Sequence, residues 1–258
     1  MRVVAVDWSG AIKGATKKIW VAEVANGQLE CLIDGRSREE VVSYVIGLAE
    51  RNPELVVGFD FAFSAPQWFL EKKGLRSAVE LWELAANAAE EWIEACEPPF
   101  WGRGTRKRPE LVEHFRVTEK RIDVHGIRPK SVFQMGGAGH VGTGSLRGWP
   151  HLLSFHTAGF AVWPFFRASL PLVVEMYPRL LTGAVNKGSA TDRRAYLQSR
   201  HAGLSEEQIE IAASSEDAFD ATVSALVMAQ HQDEFSTLTI PNDDTSAELE
   251  GWIWEPKA

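Results

Sequence analysis

The chain has 258 residues, of which 45% are hydrophobic and 24% charged, and this composition is typical of a soluble globular protein. No apolar run is long enough to cross a bilayer, and the N-terminus lacks the regions of a signal peptide. We therefore expect a cytoplasmic protein with no membrane association. The net charge of −8 argues against indiscriminate binding to nucleic acid.

The first 33 residues predict three antiparallel strands. A buried strand over residues 2–7 comes first, and a second strand covers residues 18–24. Asn26-Gly27 is a strong signal for a two-residue hairpin turn, and a third strand follows it at residues 28–33.

Helices and strands alternate after this hairpin. The sequence from Ser37 to Glu40 is a capping box that opens a helix reaching residue 51, and a second capping box begins at Ser77. The further predicted elements are, in chain order, a strand at 55–61, a helix ending near 96, a helix at 151–160, a strand at 171–177, helices at 192–201, 205–213 and 216–230, and a short strand at 251–254.

This order predicts an α/β protein with a ribonuclease H-like fold. We expect a mixed five-stranded sheet, with three antiparallel strands and then parallel strands, flanked by helices. We expect residues 1–258 to form a single domain, with a long Gly-rich, basic insertion at about 98–165. In that fold the first and fourth strands are neighbours at the centre of the sheet.

Five acidic residues are the candidate catalytic groups. Asp7 and Asp60 end two apolar strands, Glu175 lies in the strand at 171–177, and Asp217 and Asp220 share one face of the last long helix. Buried carboxylates are costly unless a positive charge compensates them. Acids brought together by the fold would suit Mg²⁺ or Mn²⁺, which support phosphoryl chemistry, and zinc is disfavoured because no His/Cys cluster is present.

Structural roles remain open for several of these acids. Asp217 lies in the first turn of its helix, where an acid stabilises the helix dipole, and Asp60 could cap the turn that follows it. Glu175 could bind a metal ion or pair with a cation such as Arg179.

A basic segment and a glycine loop are candidates for binding the substrate. Residues 102–130 contain nine Lys or Arg and four acids, so this segment carries +5 and the rest of the chain −13. Residues 137–142 resemble a dinucleotide-binding loop in spacing but not in context, and we expect their backbone amides to approach a phosphate. The candidate substrate-binding residues are Arg103, Arg106, Lys107, Arg108, Lys130, Gly137 and Gly139.

Together these segments resemble the domain-of-unknown-function 429 family, whose members are described as predicted nucleases of ribonuclease H-like fold. The resemblance spans nearly the whole chain, and its most specific parts are residues 175–178 (Glu-Met-Tyr-Pro) and 217–221 (Asp-Ala-Phe-Asp-Ala). The second part is also similar to the terminal helix of RuvC-type junction resolvases. The resemblance implies that the metal ligands are Asp7, Asp60, Asp217 and Asp220, with Glu175 as a less certain fifth.

Three functional hypotheses follow from the sequence. The leading one is a Mg²⁺- or Mn²⁺-dependent nuclease or other phosphodiester hydrolase acting on a nucleic acid or nucleotide. The second is an actin-like nucleotide-dependent phosphotransferase, because such proteins begin with a similar strand and turn, here Asp7-Trp8-Ser9-Gly10. The third is a non-catalytic module that binds a partner through the basic segment.

Overall fold

The computed structural model describes residues 1–110, 113–124, 126–240 and 246–257. Within these ranges the protein has an α/β architecture with one mixed sheet flanked by helices. The strands are β1 (Arg2–Asp7), β2 (Trp20–Ala25), β3 (Gln28–Ile33), β4 (Leu55–Phe59), β5 (Ala161–Val162), β6 (Leu172–Met176) and β7 (Ile253–Trp254).

The sheet order is β3-β2-β1-β4-β6-β5, and β7 pairs with β6. β1 pairs antiparallel with β2 and parallel with β4, so the antiparallel half of the sheet meets its parallel half at β1. Asn26 and Gly27 both have positive φ, as the tight turn between β2 and β3 requires. The predicted adjacency of the first and fourth strands is confirmed.

The helices lie on both faces of this sheet. They are α1 (Arg38–Arg51), α2 (Gln67–Lys72), α3 (Ala78–Ala95), α4 (Val117–Lys120), α5 (Gly142–Thr157), α6 (Pro178–Thr182), α7 (Ala190–Arg200), α8 (Glu206–Ala213), α9 (Glu216–Gln230) and α10 (Ala247–Glu250). No helix among the described residues is long and apolar enough to cross a membrane.

The two cores follow the alternation of side chains along the strands. Val4 and Val6 point to the face covered by α1, α3 and α5, whereas Val3 and Ala5 point to the face covered by α9. α9 lies along β1 and β2. Because both faces are covered, β4 is apolar throughout, and β1 is apolar between Arg2 and Asp7.

The structure has more strands than the five expected for the body of the sheet. β5 is only two residues long and was not predicted. The predicted tail strand is present as β7, and it joins the same sheet. The fourth strand ends at Phe59 instead of residue 61, so Asp60 lies just beyond the end of its strand.

The largest error concerns α5, which begins at Gly142 and not at residue 151. Gly142, Gly144, Gly148 and Pro150 lie inside this helix, and these residue types disfavour helix formation. Tertiary contacts compensate for them. For example, a Cβ on Gly148 would lie 2.4 Å from the ring of Phe61, so only glycine permits this close approach.

Residues 96–141 contain α4 and one isolated β-bridge, between Trp101 and Gln134, among their described members. Part of this stretch belongs to the main core, since Val132 and Phe133 are fully buried. The stretch therefore contributes to the body of the protein, and it leads directly into α5.

Candidate acidic cleft

Asp7 and Asp60 lie side by side because their strands are adjacent and parallel. Val6 is in register with Phe59, so the two acids follow at the same edge of the sheet. The backbone N–H of Trp8 donates to Oδ1 of Asp60 at 2.6 Å, which fixes the orientation of that carboxylate. Asp7 is buried and Asp60 is half-buried.

α9 places the other two aspartates against this edge. Ser215 caps the helix, since its side chain accepts a hydrogen bond from the N–H of Ala218, and neither Asp217 nor Asp220 is the N-cap. Asp220 is 9% exposed, whereas Asp217 is half-buried. The helix brings both acids to the carboxyl end of β1 because it packs along that strand.

All four aspartates line one open cleft of about 570 Å³. Its walls also carry the cations Arg128, Lys130, Arg179 and Lys187. The acids come from three distant parts of the sequence, so their meeting is a property of the fold.

The negative charges of these carboxylates repel one another, which disfavours the ionised form of each acid. Burial raises the pKa of Asp7 well above its ordinary value, and the negative charges of Asp60, Asp220 and Asp217 raise it further. Burial, followed by the charges of Asp220 and Asp217, raises the pKa of Asp60 to about 7, although the N–H of Trp8 opposes this rise. These are the shifts expected where acids are gathered with too little positive charge.

Lys187 provides part of the missing positive charge. Its Nζ lies 2.5 Å from Oδ2 of Asp220, and this contact opposes the effect of burial, which raises the pKa of that acid. Oδ1 of Asp220 is buried and has no hydrogen-bond partner among the described residues. A buried carboxylate oxygen without a partner is unusual, and it indicates that a donor or cation is missing at this point.

The donor chemistry of the cleft fits Mg²⁺ or Mn²⁺, since four carboxylates line it, those of Asp7, Asp60, Asp217 and Asp220. The cleft is also lined by one imidazole, that of His140. In the described part of the chain, however, no group of three or more His, Cys, Asp or Glu side chains is arranged so that it could hold a metal ion.

Glu175 is engaged in a buried ion pair with Arg116. Nη1 of Arg116 donates to Oε2 of Glu175 at 2.8 Å, and the N–H of Phe63 donates to the same oxygen at 2.9 Å. The other donors of Arg116 bind Oε1 of Glu175, Glu119 and the carbonyl oxygen of Glu250, so all five N–H groups of the guanidinium are used. Glu175 therefore has the cation partner that the sequence left open, but this partner is Arg116 and not Arg179.

Two of the seven candidate substrate-binding residues line the cleft, and the other five do not. Lys130 and Gly139 line the acidic cleft, and Gly139 packs against the side chain of Lys130. Gly137 lies near Gln134 and is not a lining residue. The remaining candidates lie outside the lining of the cleft: Arg103, Arg106, Lys107 and Arg108.

Two of the basic residues outside the cleft, Arg103 and Arg108, contact other parts of the protein. Nη1 of Arg103 donates to the carbonyl oxygen of Ile93 at 2.6 Å. Arg108 lies over the rings of Trp101 and Phe115. Arg103 therefore ties the segment to the end of α3, and Arg108 covers aromatic surface.

Sequence reasoning missed several residues of the site. Arg116 and Arg128 were counted in the basic segment but were not singled out, and Lys187 was not considered. Arg128 and Lys130 flank Pro129, and this local cluster of charge was the available signal. Lys187 and Arg116 reach Asp220 and Glu175 across 33 and 59 residues, so no local pattern in the sequence indicates these two pairs.

The fold and the cleft define an α/β protein with an acidic site at the carboxyl ends of its central parallel strands. No family model, curated protein or solved structure matches the chain. The function has to be inferred from the residues of the cleft.

Proposed function

We propose that this protein is a divalent-metal-dependent phosphodiester hydrolase that uses Mg²⁺ or Mn²⁺ and acts on a nucleic acid or nucleotide. The observation that carries the proposal is the meeting of Asp7, Asp60, Asp217 and Asp220 in one cleft. Burying acids of like charge is costly. Such a cluster is stabilised most effectively by a cation of high charge, which is also the agent that activates water for phosphoryl transfer.

The topology of the sheet supports a ribonuclease H-like fold and, through it, the proposed relationship to the domain-of-unknown-function 429 family. The strands β3, β2 and β1 are antiparallel neighbours, and β4 and β6 then continue in parallel. This is the order expected for that fold, with a helix late in the chain, α9, that carries a pair of acids to the central strands. Fold similarity supports the class of chemistry less strongly than the site does.

The residues of the cleft have separable tasks in this hydrolase. Asp7, Asp60, Asp217 and Asp220 would hold the ions, and the N–H of Trp8 orients Asp60 for this purpose. When bound, a divalent ion lowers the pKa of a coordinated water and stabilises the leaving oxygen. Arg128 and Lys130 are exposed at the wall of the cleft, where they can bind the phosphates of an anionic substrate.

The proposal is tested by cleavage assays with labelled DNA, RNA and branched junctions in Mn²⁺, comparing the wild type with Asp7→Asn. We expect the wild type to cleave at least one substrate and Asp7→Asn to lose about 100-fold or more in rate, since even the loss of a residue that supports a metal ligand costs about 10–100-fold. Asp34→Asn is the matched control, because Asp34 is exposed and lies outside the cleft.

Two results would count against hydrolysis at this site. One is the absence of cleavage by the wild type on every substrate, and the other is equal cleavage by the wild type and Asp7→Asn. Tight stoichiometric binding of ATP with Mg²⁺, without cleavage of any polynucleotide, would favour the actin-like phosphotransferase instead.

A further inference from the structure

The ammonium group of Lys187 lies against the acids of the cleft. Nζ of Lys187 and Oδ2 of Asp220 are 2.5 Å apart, and the two side chains are only 17% and 12% exposed. Lys187 and Asp220 line the cleft together with Asp7, Asp60 and Asp217. The ammonium thus stands among the four aspartates as a cation that belongs to the chain itself.

The backbone around Lys187 is held in place by buried and half-buried groups. The guanidinium of Arg193, which is 5% exposed, donates to the carbonyl oxygens of Lys187 and Ala213. Arg179 donates to the carbonyl oxygen of Val185 at 2.7 Å. Because these contacts hold the main chain on both sides, the ammonium can leave Asp220 by rotation of its long side chain without movement of the loop.

We propose that Lys187 is an internal counter-ion of the acidic cleft, and that a divalent cation binds to Asp220 by displacing its ammonium group. The inference rests on the proposed function, since it assumes a metal site at these four aspartates. It is supported by two observations. The ammonium group of Lys187 lies 2.5 Å from Oδ2 of Asp220 within the cleft, and the other carboxylate oxygen of Asp220, Oδ1, is buried without a hydrogen-bond partner among the described residues.

The physical basis is competition between two cations for one group of carboxylates. An ammonium group and a divalent ion that share the same buried acid repel each other over a few ångströms, where solvent screens their charges poorly. Metal binding must therefore break the ion pair, and its cost lowers the apparent affinity for the metal. Removing the ammonium group removes this cost and leaves the negative charges of the acids less compensated. Both effects raise the affinity for a divalent cation.

The test is calorimetric titration of Mn²⁺ alone into the metal-free full-length protein, comparing the wild type with Lys187→Met. We expect Lys187→Met to bind Mn²⁺ about tenfold more tightly or better, because a charge-assisted hydrogen bond no longer has to be broken. Lys187→Arg keeps a cation and should remain within a few-fold of the wild type. Lys72→Met, an exposed lysine at the end of α2, is the control for the loss of one positive charge.

Thermal unfolding gives a second measurement that remains informative if Lys187→Met is less stable. In EDTA this variant should unfold at a lower temperature than the wild type, and saturating Mn²⁺ should raise its Tm by more than it raises that of the wild type. Equal or weaker Mn²⁺ affinity in Lys187→Met, with Mn²⁺ still bound by the wild type, would overturn the counter-ion role alone. Absence of Mn²⁺ binding by both proteins would overturn the counter-ion role and the proposed hydrolase together.

Discussion

At the scale of single residues, the protonation of Asp60 depends on its neighbours. Its carboxylate lies beside those of Asp7, Asp217 and Asp220, and burial together with the negative charges of Asp220 and Asp217 raises its pKa to about 7. The folded, metal-free protein therefore binds a proton at Asp60 over a pH range in which the unfolded chain has released it. Folding and proton uptake are linked over that range.

We predict that the free energy of unfolding of the metal-free protein falls as the pH rises from about 4 to 7. The sign follows because the raised pKa makes the folded state bind more protons than the unfolded state in this interval. Asp60→Asn removes this titration but keeps an oxygen that can accept from Trp8, so it should be more stable than the wild type at pH 8 by about 1–2 kcal/mol. Urea denaturation in EDTA at pH 5 and pH 8 measures both effects.

The pH dependence of Asp60→Asn should be smaller than that of the wild type but not zero, because the pKa of Asp7 is also raised. Saturating Mn²⁺ should reduce the pH dependence of the wild type, since a bound cation favours the ionised carboxylates. A wild type that becomes more stable between pH 5 and pH 8 in EDTA would contradict the account of this cluster.

The residue scale also shows how far sequence reasoning reaches into the site. Asp7 and Asp60 could be recognised because each follows an uninterrupted apolar strand, and a carboxylate there needs an explanation. The ion pair between Arg116 and Glu175 could not be recognised, because the position of an arginine outside regular elements leaves no periodic pattern. The sequence is equally compatible with Glu175 as a metal ligand and as the partner of a cation, and the position of Arg116 decides for the second role.

At the scale of elements, the turn after β1 packs closely against the start of α5, next to the cleft residues Asp7 and Val141. A Cβ on Gly10 would lie 2.3 Å from the backbone nitrogen of Gly144 and 2.5 Å from the carbonyl carbon of Thr143. Nε1 of Trp8 donates to the carbonyl oxygen of Gly144 at 3.2 Å. The turn that follows Asp7 is therefore fitted directly against the backbone of α5.

We predict that Gly10→Ala destabilises the protein by about 1–3 kcal/mol, because the added methyl group meets backbone atoms that cannot move without shifting α5. Gly47→Ala is the matched control. Gly47 lies inside α1, and a Cβ there has only the end of the Arg51 side chain within 4 Å, at 3.7 Å. We expect this control to gain roughly 0.5–1 kcal/mol from helix propensity. Urea denaturation distinguishes the two outcomes, and equal effects would show that the contact at Gly10 is not tight.

The start of α5 also shows why some helices could be predicted from the sequence and others could not. α1 and α9 were predicted accurately because a capping serine and a continuous run of helix-compatible residues specify them locally. α5 was predicted only from residue 151, since its first turns are rich in glycine and contain Pro150. A Cβ at Gly142 would meet the backbone oxygens of Val132 and Gln134, and one at Gly148 would meet the ring of Phe61. These two glycines are needed for close packing, and packing of this kind has no signature in a single sequence.

At the scale of the whole molecule, the distribution of charge decides where a polyanion could bind. The chain is acidic overall, but Arg128 and Lys130 are exposed at the cleft, and neither has a side-chain hydrogen bond or ion pair among the described residues. The buried residues Ile127 and Ser131 anchor this short segment on either side. A substrate phosphate would thus meet free cations at the wall of the cleft.

We predict that the double variant Arg128→Ala/Lys130→Ala weakens binding of a single-stranded oligonucleotide to catalytically impaired Asp7→Asn. The loss of two phosphate contacts should reduce the slope of log K against log salt by about 1.4, since each contact contributes about 0.7 for a single strand. Arg106→Ala/Lys107→Ala removes the same charge outside the cleft and should change the slope little. Fluorescence anisotropy over a series of salt concentrations measures the slope for both double variants. A larger effect of Arg106→Ala/Lys107→Ala would indicate that the oligonucleotide binds outside the cleft.

By itself the sequence determined most of the alternation of strands and helices, the adjacency of the first and fourth strands, and the acids that follow those strands. These features depend on local patterns: hydrophobic periodicity, capping residues, a two-residue turn and the cost of a charge beside an apolar run. The tertiary structure alone decided that Lys187 reaches Asp220, that Arg116 takes Glu175, and that Lys130 borders the cleft while Arg106 does not. Such pairings depend on distances between residues far apart in the chain, and only the packed fold sets those distances.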